Sequence, residues 1–134
     1  MMYTVNVLDE TTARPRPEPA LTLDFEVETV TVRDLIRRRV YDEVTEYNAG
    51  ARERFRGLVV PEGMERALNS PTVPRPHRID WEQQSARALE AFARGTVIVL
   101  VGDRQAETPD EPVTLRLGHP LDVTFIKLVP LVGG

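Results

Sequence analysis

Tyr3, Val5 and Val7 alternate with Thr4, Asn6 and Leu8, which predicts a half-buried strand over 2–9. Pro15, Pro17 and Pro19 then place a stiff loop over 10–20 that cannot join a sheet interior. Leu21, Leu23, Phe25 and Val27 against Thr22, Asp24, Glu26 and Glu28 give the clearest strand in the chain, and the two strands read as an antiparallel pair. Their shared apolar face needs a cover. Thr31 followed by Asp34 marks a helix start, and Val32, Leu35, Ile36, Val40, Val44 and Tyr47 fall close to one helical face. Arg33, Arg37, Arg38, Asp42 and Glu46 take the opposite side. The i,i+4 pairs Asp34–Arg38, Arg38–Asp42 and Arg39–Glu43 make the arginine run a solvated, ion-paired face, the alternative being a docking patch for an acidic partner. The helix is expected to end at Asn48–Gly50 or to fray toward Phe55.

Residues 51–95 read as an insertion. Pro61-Glu62-Gly63 opens a short helix through Met64–Leu68, and Pro71, Pro74 and Pro76 forbid regular structure as far as Ile79. Asp80 with Gln83 has the form of a capping box for a helix bearing Trp81, Ala88, Leu89 and Phe92, closed by Gly95. Trp81 is read as an anchor holding this segment to the body rather than as a ligand platform. Val97–Val101 is apolar at every position and predicts a strand contacted on both faces. Turns at Gly102-Asp103, Pro109–Pro112 and Gly118–Pro120 bound a strand at 113–117, and 123–129 is the last strand. The order is strand, strand, helix, insertion, strands, an α+β arrangement in which a mixed sheet clasps one long helix.

Composition narrows the chemistry. The 134 residues suit one domain, 1–134, with 41% hydrophobic and 28% charged residues. A net charge of −4 argues against a nucleic-acid-coating protein, so no nucleic-acid partner is expected. No apolar run approaches the ~18 residues that cross a bilayer, and MMYTVNVLDE lacks the form of a signal peptide; no membrane partner and a cytoplasmic location are expected. The absence of cysteine removes disulfides and thiol chemistry. His77 and His119 are too few and too far apart for a metal site, and Asp103, Glu107, Asp110 and Glu111 are loop carboxylates without a partner base. No catalytic set emerges, so the chain reads as a substrate of enzymes rather than as an enzyme. Lys127 is its single lysine.

Thr31–Ile36 opening the helix, Val99–Asp103 at the third strand, Leu121–Ile126 before the tail and Val132-Gly133-Gly134 at the end resemble the β-grasp family of ubiquitin and the bacterial sulfur carriers. The resemblance covers 1–48 and 96–134, and the 51–95 insertion departs from compact members. At ~7% glycine, two glycines at the last two positions arise by chance in about one chain in 200. The resemblance implies that an E1-like activating enzyme, with ATP and Mg²⁺ that it binds itself, adenylates the Gly134 carboxylate, while Gly133 provides access through a narrow channel. No cofactor is expected on this chain. An E2-like enzyme and a JAB-type peptidase are further partners that the resemblance implies.

The expected function is that of a ubiquitin-like modifier conjugated to a target. A sulfur carrier with a C-terminal thiocarboxylate is the alternative, and a β-grasp interaction module is a second one. Because one face of 97–101 exceeds what the helix can cover, an apolar patch for the activating enzyme is expected unless the insertion folds over it. The residues assigned to partner contact are Val97, Val99, Val101, Leu128, Leu131 and Val132.

Overall fold

A computed structural model describes residues 1–50, 57–61 and 78–130. The expected short helix through Met64–Leu68, the prolines at 71–76, His77, any extension of the first helix toward Phe55, and the tail residues Leu131, Val132, Gly133 and Gly134 lie outside the described residues. The described elements are β1 (Tyr3–Thr11), β2 (Glu18–Phe25), β3 (Thr29–Thr31), α1 (Val32–Asn48), α2 (Trp81–Arg94), β4 (Val97–Val101), β5 (Arg104–Gln105), β6 (Pro112–Thr114) and β7 (Leu121–Lys127). The molecule is α+β. A mixed five-stranded sheet runs β2-β1-β7-β4-β5, and β3 pairs with β6 in a small second sheet.

β1 pairs antiparallel with β2 and parallel with β7, and β7 pairs antiparallel with β4. The register places Val7, Val123 and Val101 in one row across the sheet, and Asp9, Phe125 and Val99 in the next. Val5, Val7, Leu23, Val99, Val123 and Phe125 on one sheet face meet Val32, Leu35, Ile36, Val40 and Val44 of α1 in the core. Thr31 caps α1 reciprocally with Asp34, as its spacing predicts. Among the described residues no helix is long and apolar enough to cross a membrane.

Several boundaries differ from the sequence reading for definable reasons. β2 begins at Glu18 and includes Pro19, because β2 is an edge strand whose proline faces no further ladder; a register shift at Val7/Leu8 absorbs the irregularity. β2 ends at Phe25, so Val27 leaves the expected alternation and is exposed. Gly102, at φ +60°, makes Gly102-Asp103 a two-residue hairpin into the short β5, which the sequence reading passes over. The expected 113–117 strand shortens to β6, because Arg116 bridges back to His119 around Gly118, at φ +73°.

α2 packs on α1. Trp81 meets the Tyr41 ring edge-on at 5.3 Å between centroids, and the Arg37 guanidinium lies 4.9 Å from its ring, which gives the anchor a concrete form. Asn48 clamps the approach to α2, donating to the Ile79 carbonyl (2.8 Å) and accepting from its N–H (2.9 Å). Asp80 caps α2 by accepting from the Glu82 N–H; Gln84, not Gln83, turns inward and donates to the Val59 carbonyl. Gly95 closes the helix at φ +80°.

Candidate functional site

The path of the chain after β7 sets where the tail begins. Leu128 N–H donates to the Thr96 carbonyl (2.9 Å) and Val129 N–H to the Thr12 hydroxyl (2.9 Å), while Thr12 N–H donates to the Lys127 carbonyl (3.1 Å). These bonds hold the last strand between the ends of β1 and β4 as far as Val129. Both Leu128 and Val129 are exposed at that point. Gly133 and Gly134, the residues assigned to adenylation, lie outside the described residues, as do Leu131 and Val132.

The partner-contact assignment needs correction. Val97 and Val99 point into the core and are buried, and Val101, in register with core Val123, packs half-buried on the same side. Strand parity is the reason: the odd positions of β4 share the face under the helices, so the surface belongs to the even ones. Ile98 and Leu100 lie on that outer face, in register with Ile126 and Thr124, and Leu8 extends the second row. All five are half-buried. The charged residues of β1 and β7 on this face are Glu10 and Asp122, both acidic.

On the opposite face, beneath the tail exit, lies an ionic cluster that sequence reasoning missed. Arg39 is fully buried rather than part of a solvated face. Its guanidinium forks onto both Asp9 oxygens, with 2.7 Å for the Nη2–Oδ2 contact, and reaches Glu43 at 3.3 and 3.4 Å. It also lies 4.6 Å from the centroid of the Phe125 ring. Glu43 in turn accepts from the Leu58 N–H (3.2 Å), and Lys127 Nζ donates to the Gly57 carbonyl (3.2 Å). The cluster therefore ties α1, β1, β7 and the 57–61 segment together.

Burial pushes the Glu43 carboxyl above the usual carboxylate range against the opposing pull of Arg39, and it pushes the Lys127 ammonium below its ordinary value. Arg39 stays charged, held up by Asp9 and Glu43 against its own desolvation. The i,i+4 pairing Arg39–Glu43 is present, but on the inner side. A signal was available in parity: Asp9 follows Val5 and Val7, Lys127 follows Val123 and Phe125, and Arg39 neighbours Leu35, Ile36 and Val40 on the helix.

Among the described residues no group of His, Cys, Asp or Glu could hold a metal ion. His119 sits in the Arg116–His119 turn. Glu111 is engaged structurally: its carboxylate accepts from the Glu107 and Thr108 N–H groups and pairs with Arg104, which holds it below the usual range. Compared with family models, curated proteins and solved structures, the chain matches none.

Proposed function

We propose that this chain is a ubiquitin-like modifier of the β-grasp type, acting in the cytoplasm, whose Gly134 carboxylate is activated and joined to a target. The observation that carries the reading is the strand order β2-β1-β7-β4-β5, with β7 parallel to β1 at the centre and α1 across one face. In such an arrangement the last strand lies inside the sheet, and the chain is held as far as Val129. Hydrogen bonds to Thr12 and Thr96 anchor that exit, and Leu128 and Val129 are exposed beside it.

In activation, a carboxylate oxygen of Gly134 attacks the α-phosphorus of ATP held by the E1-like enzyme, and pyrophosphate leaves. An amine or hydroxyl of the target then displaces AMP from the acyl-adenylate. The modifier supplies only the carboxylate and a slender approach, because residues without Cβ pass where others would collide. The enzyme docks on Leu128, Val129 and the outer sheet face at Ile98, Leu100 and Ile126. That face is acidic at Glu10 and Asp122, which calls for a basic rim on the enzyme.

Intact-mass analysis of the protein from its own host, with mapping of any adducts, tests the reading. Covalent attachment through Gly134 to other proteins is the expected result. A mass gain equal to the difference between sulfur and oxygen identifies a thiocarboxylate carrier instead, and neither outcome leaves an interaction module. Deleting Gly134, or Gly133→Val, should abolish ATP–pyrophosphate exchange by the cognate activating enzyme with the unfolding temperature unchanged; undiminished exchange by the deletion variant defeats the proposal.

A further inference from the structure

A cleft of about 400 Å³ opens between α1, the start of α2 and the chain just after β2. Buried Val30 forms its floor, and Phe25 and Trp81 line it. Val27 and Tyr41, also in its lining, are 54% and 45% exposed, so the cleft presents apolar surface to solvent. Two guanidinium groups border it. Arg37 lies over Trp81 at 4.9 Å, and Arg38 lies over Phe25 at 5.3 Å.

The charges are unevenly matched. Arg38 is answered by Asp42 at 3.5 Å, and Asp34 is occupied by the capping box of α1. Arg37 has no carboxylate partner among the described residues. Stacking on an indole leaves the edge N–H groups of a guanidinium able to bind a carboxylate. Tryptophan, tyrosine and arginine in one pocket are also the residue types that dominate binding energy at protein interfaces.

We propose that this cleft is a docking site for an acidic peptide segment of a partner protein. One bulky apolar side chain, leucine or phenylalanine, enters between Phe25 and Trp81 above Val30, and a flanking carboxylate pairs with Arg37. A flat base is a poorer occupant, because Arg37 and Arg38 each cover a face of the two rings and Tyr41 meets Trp81 edge-on. The site is separate from the end of β7. Phe25 pairs with Tyr3 at one end of β1, whereas Lys127 pairs with Thr11 at the other, roughly 26 Å along a nine-residue strand. The cleft and the end of β7 lie at opposite ends of β1, so the proposal stands whether or not Gly134 is conjugated.

Trp81 is the chain's single tryptophan and lines the cleft, so its fluorescence reports on binding there. It also lines a second pocket with Val44, Thr45 and Asn48, and substitutions at Arg37 and Val27, which line the cleft and not that pocket, tell the two apart. The probes are acetylated, amidated pentapeptides with aspartate pairs flanking Leu, Phe or Ala, a Leu peptide flanked by lysines, and ATP. Saturable emission changes with the acidic Leu or Phe peptide are expected, with the Ala-centred and lysine-flanked peptides and ATP at least about tenfold weaker. Arg37→Glu should weaken the acidic peptides by at least about tenfold, whereas Arg116→Glu, of equal charge but outside the cleft, should leave them within about twofold.

Thermal unfolding verifies that Arg37→Glu is folded; Val27→Asp, at an exposed residue, is the second variant and should show the same loss. No saturation with either acidic peptide, equal binding of the Ala-centred peptide or of ATP, or binding undiminished in both cleft variants overturns the proposal.

Discussion

Replacing Arg39 by methionine tests the buried cluster most directly. The substitution keeps much of the apolar stem but removes the fork onto Asp9, the contacts to Glu43 and the charge over Phe125. The arginine side chain is 1% exposed, that of Glu43 9% and that of Asp9 28%, so Asp9 recovers some hydration and Glu43 recovers almost none. An uncompensated buried carboxylate governs the outcome, and breaking such a pair by removing one partner costs about 3–5 kcal/mol. For a domain of this size the loss corresponds to a fall of roughly 10–20 °C in Tm. The loss also depends on pH. Burial already raises the Glu43 carboxyl, and a carboxyl raised on folding contributes stability below its unfolded pKa that is lost as pH rises through the folded value. Removing Arg39 withdraws the main opposing influence, so the gap between wild type and variant should widen as pH rises above the ordinary carboxylate range. Urea unfolding followed by circular dichroism from that range upward supplies both quantities. A loss below about 1 kcal/mol at neutral pH, the level of an exposed pair, or a gap that does not change with pH, would refute the reasoning.

Thr31→Ala removes the hydroxyl that accepts from the Asp34 N–H and frees one side of the capping box; a loss of about 1 kcal/mol in chemical denaturation is expected, and no loss would show that the cap is idle. Lys127, the single lysine, donates to the Gly57 carbonyl from the core side of the sheet at the base of the tail, so any conjugation should attach single copies. Linkage mapping by mass spectrometry with wild type and Lys127→Arg checks this, and an abundant ladder lost in the variant would contradict it.

Much of the fold is legible because it rests on short-range pattern. The alternation in β1 and β2, the Thr31/Asp34 box, the apolar stripe of α1 and the Gly95 stop each follow from backbone periodicity and local hydrogen bonding, which a sequence displays directly. The element order likewise pointed to a mixed sheet with one helix across it. β3 and β5 escaped because two- and three-residue strands have no period to read, whereas β6 is placed by the pattern but expected to run on to Leu117.

Charge and exposure belonged to the tertiary structure. Composition and spacing present Arg37, Arg38 and Arg39 as one run on one helix, yet a rotation of about 100° per residue separates their fates. Arg39 turns into the core because β1 offers Asp9 and β7 offers Phe125 there, and those partners stand 30 and 86 residues away in the chain. Arg37 turns toward Trp81, which only the docking of α2 brings near. The all-apolar β4 told the same story in reverse: its sequence marks both faces as apolar, but only its pairing with β7 assigned Val97 and Val99 to the core and Ile98 and Leu100 to the outside. A sequence determines which side chains share a face of their own element; which face meets solvent is decided by elements distant in the chain, because burial is a property of the packed neighbours and not of the residue.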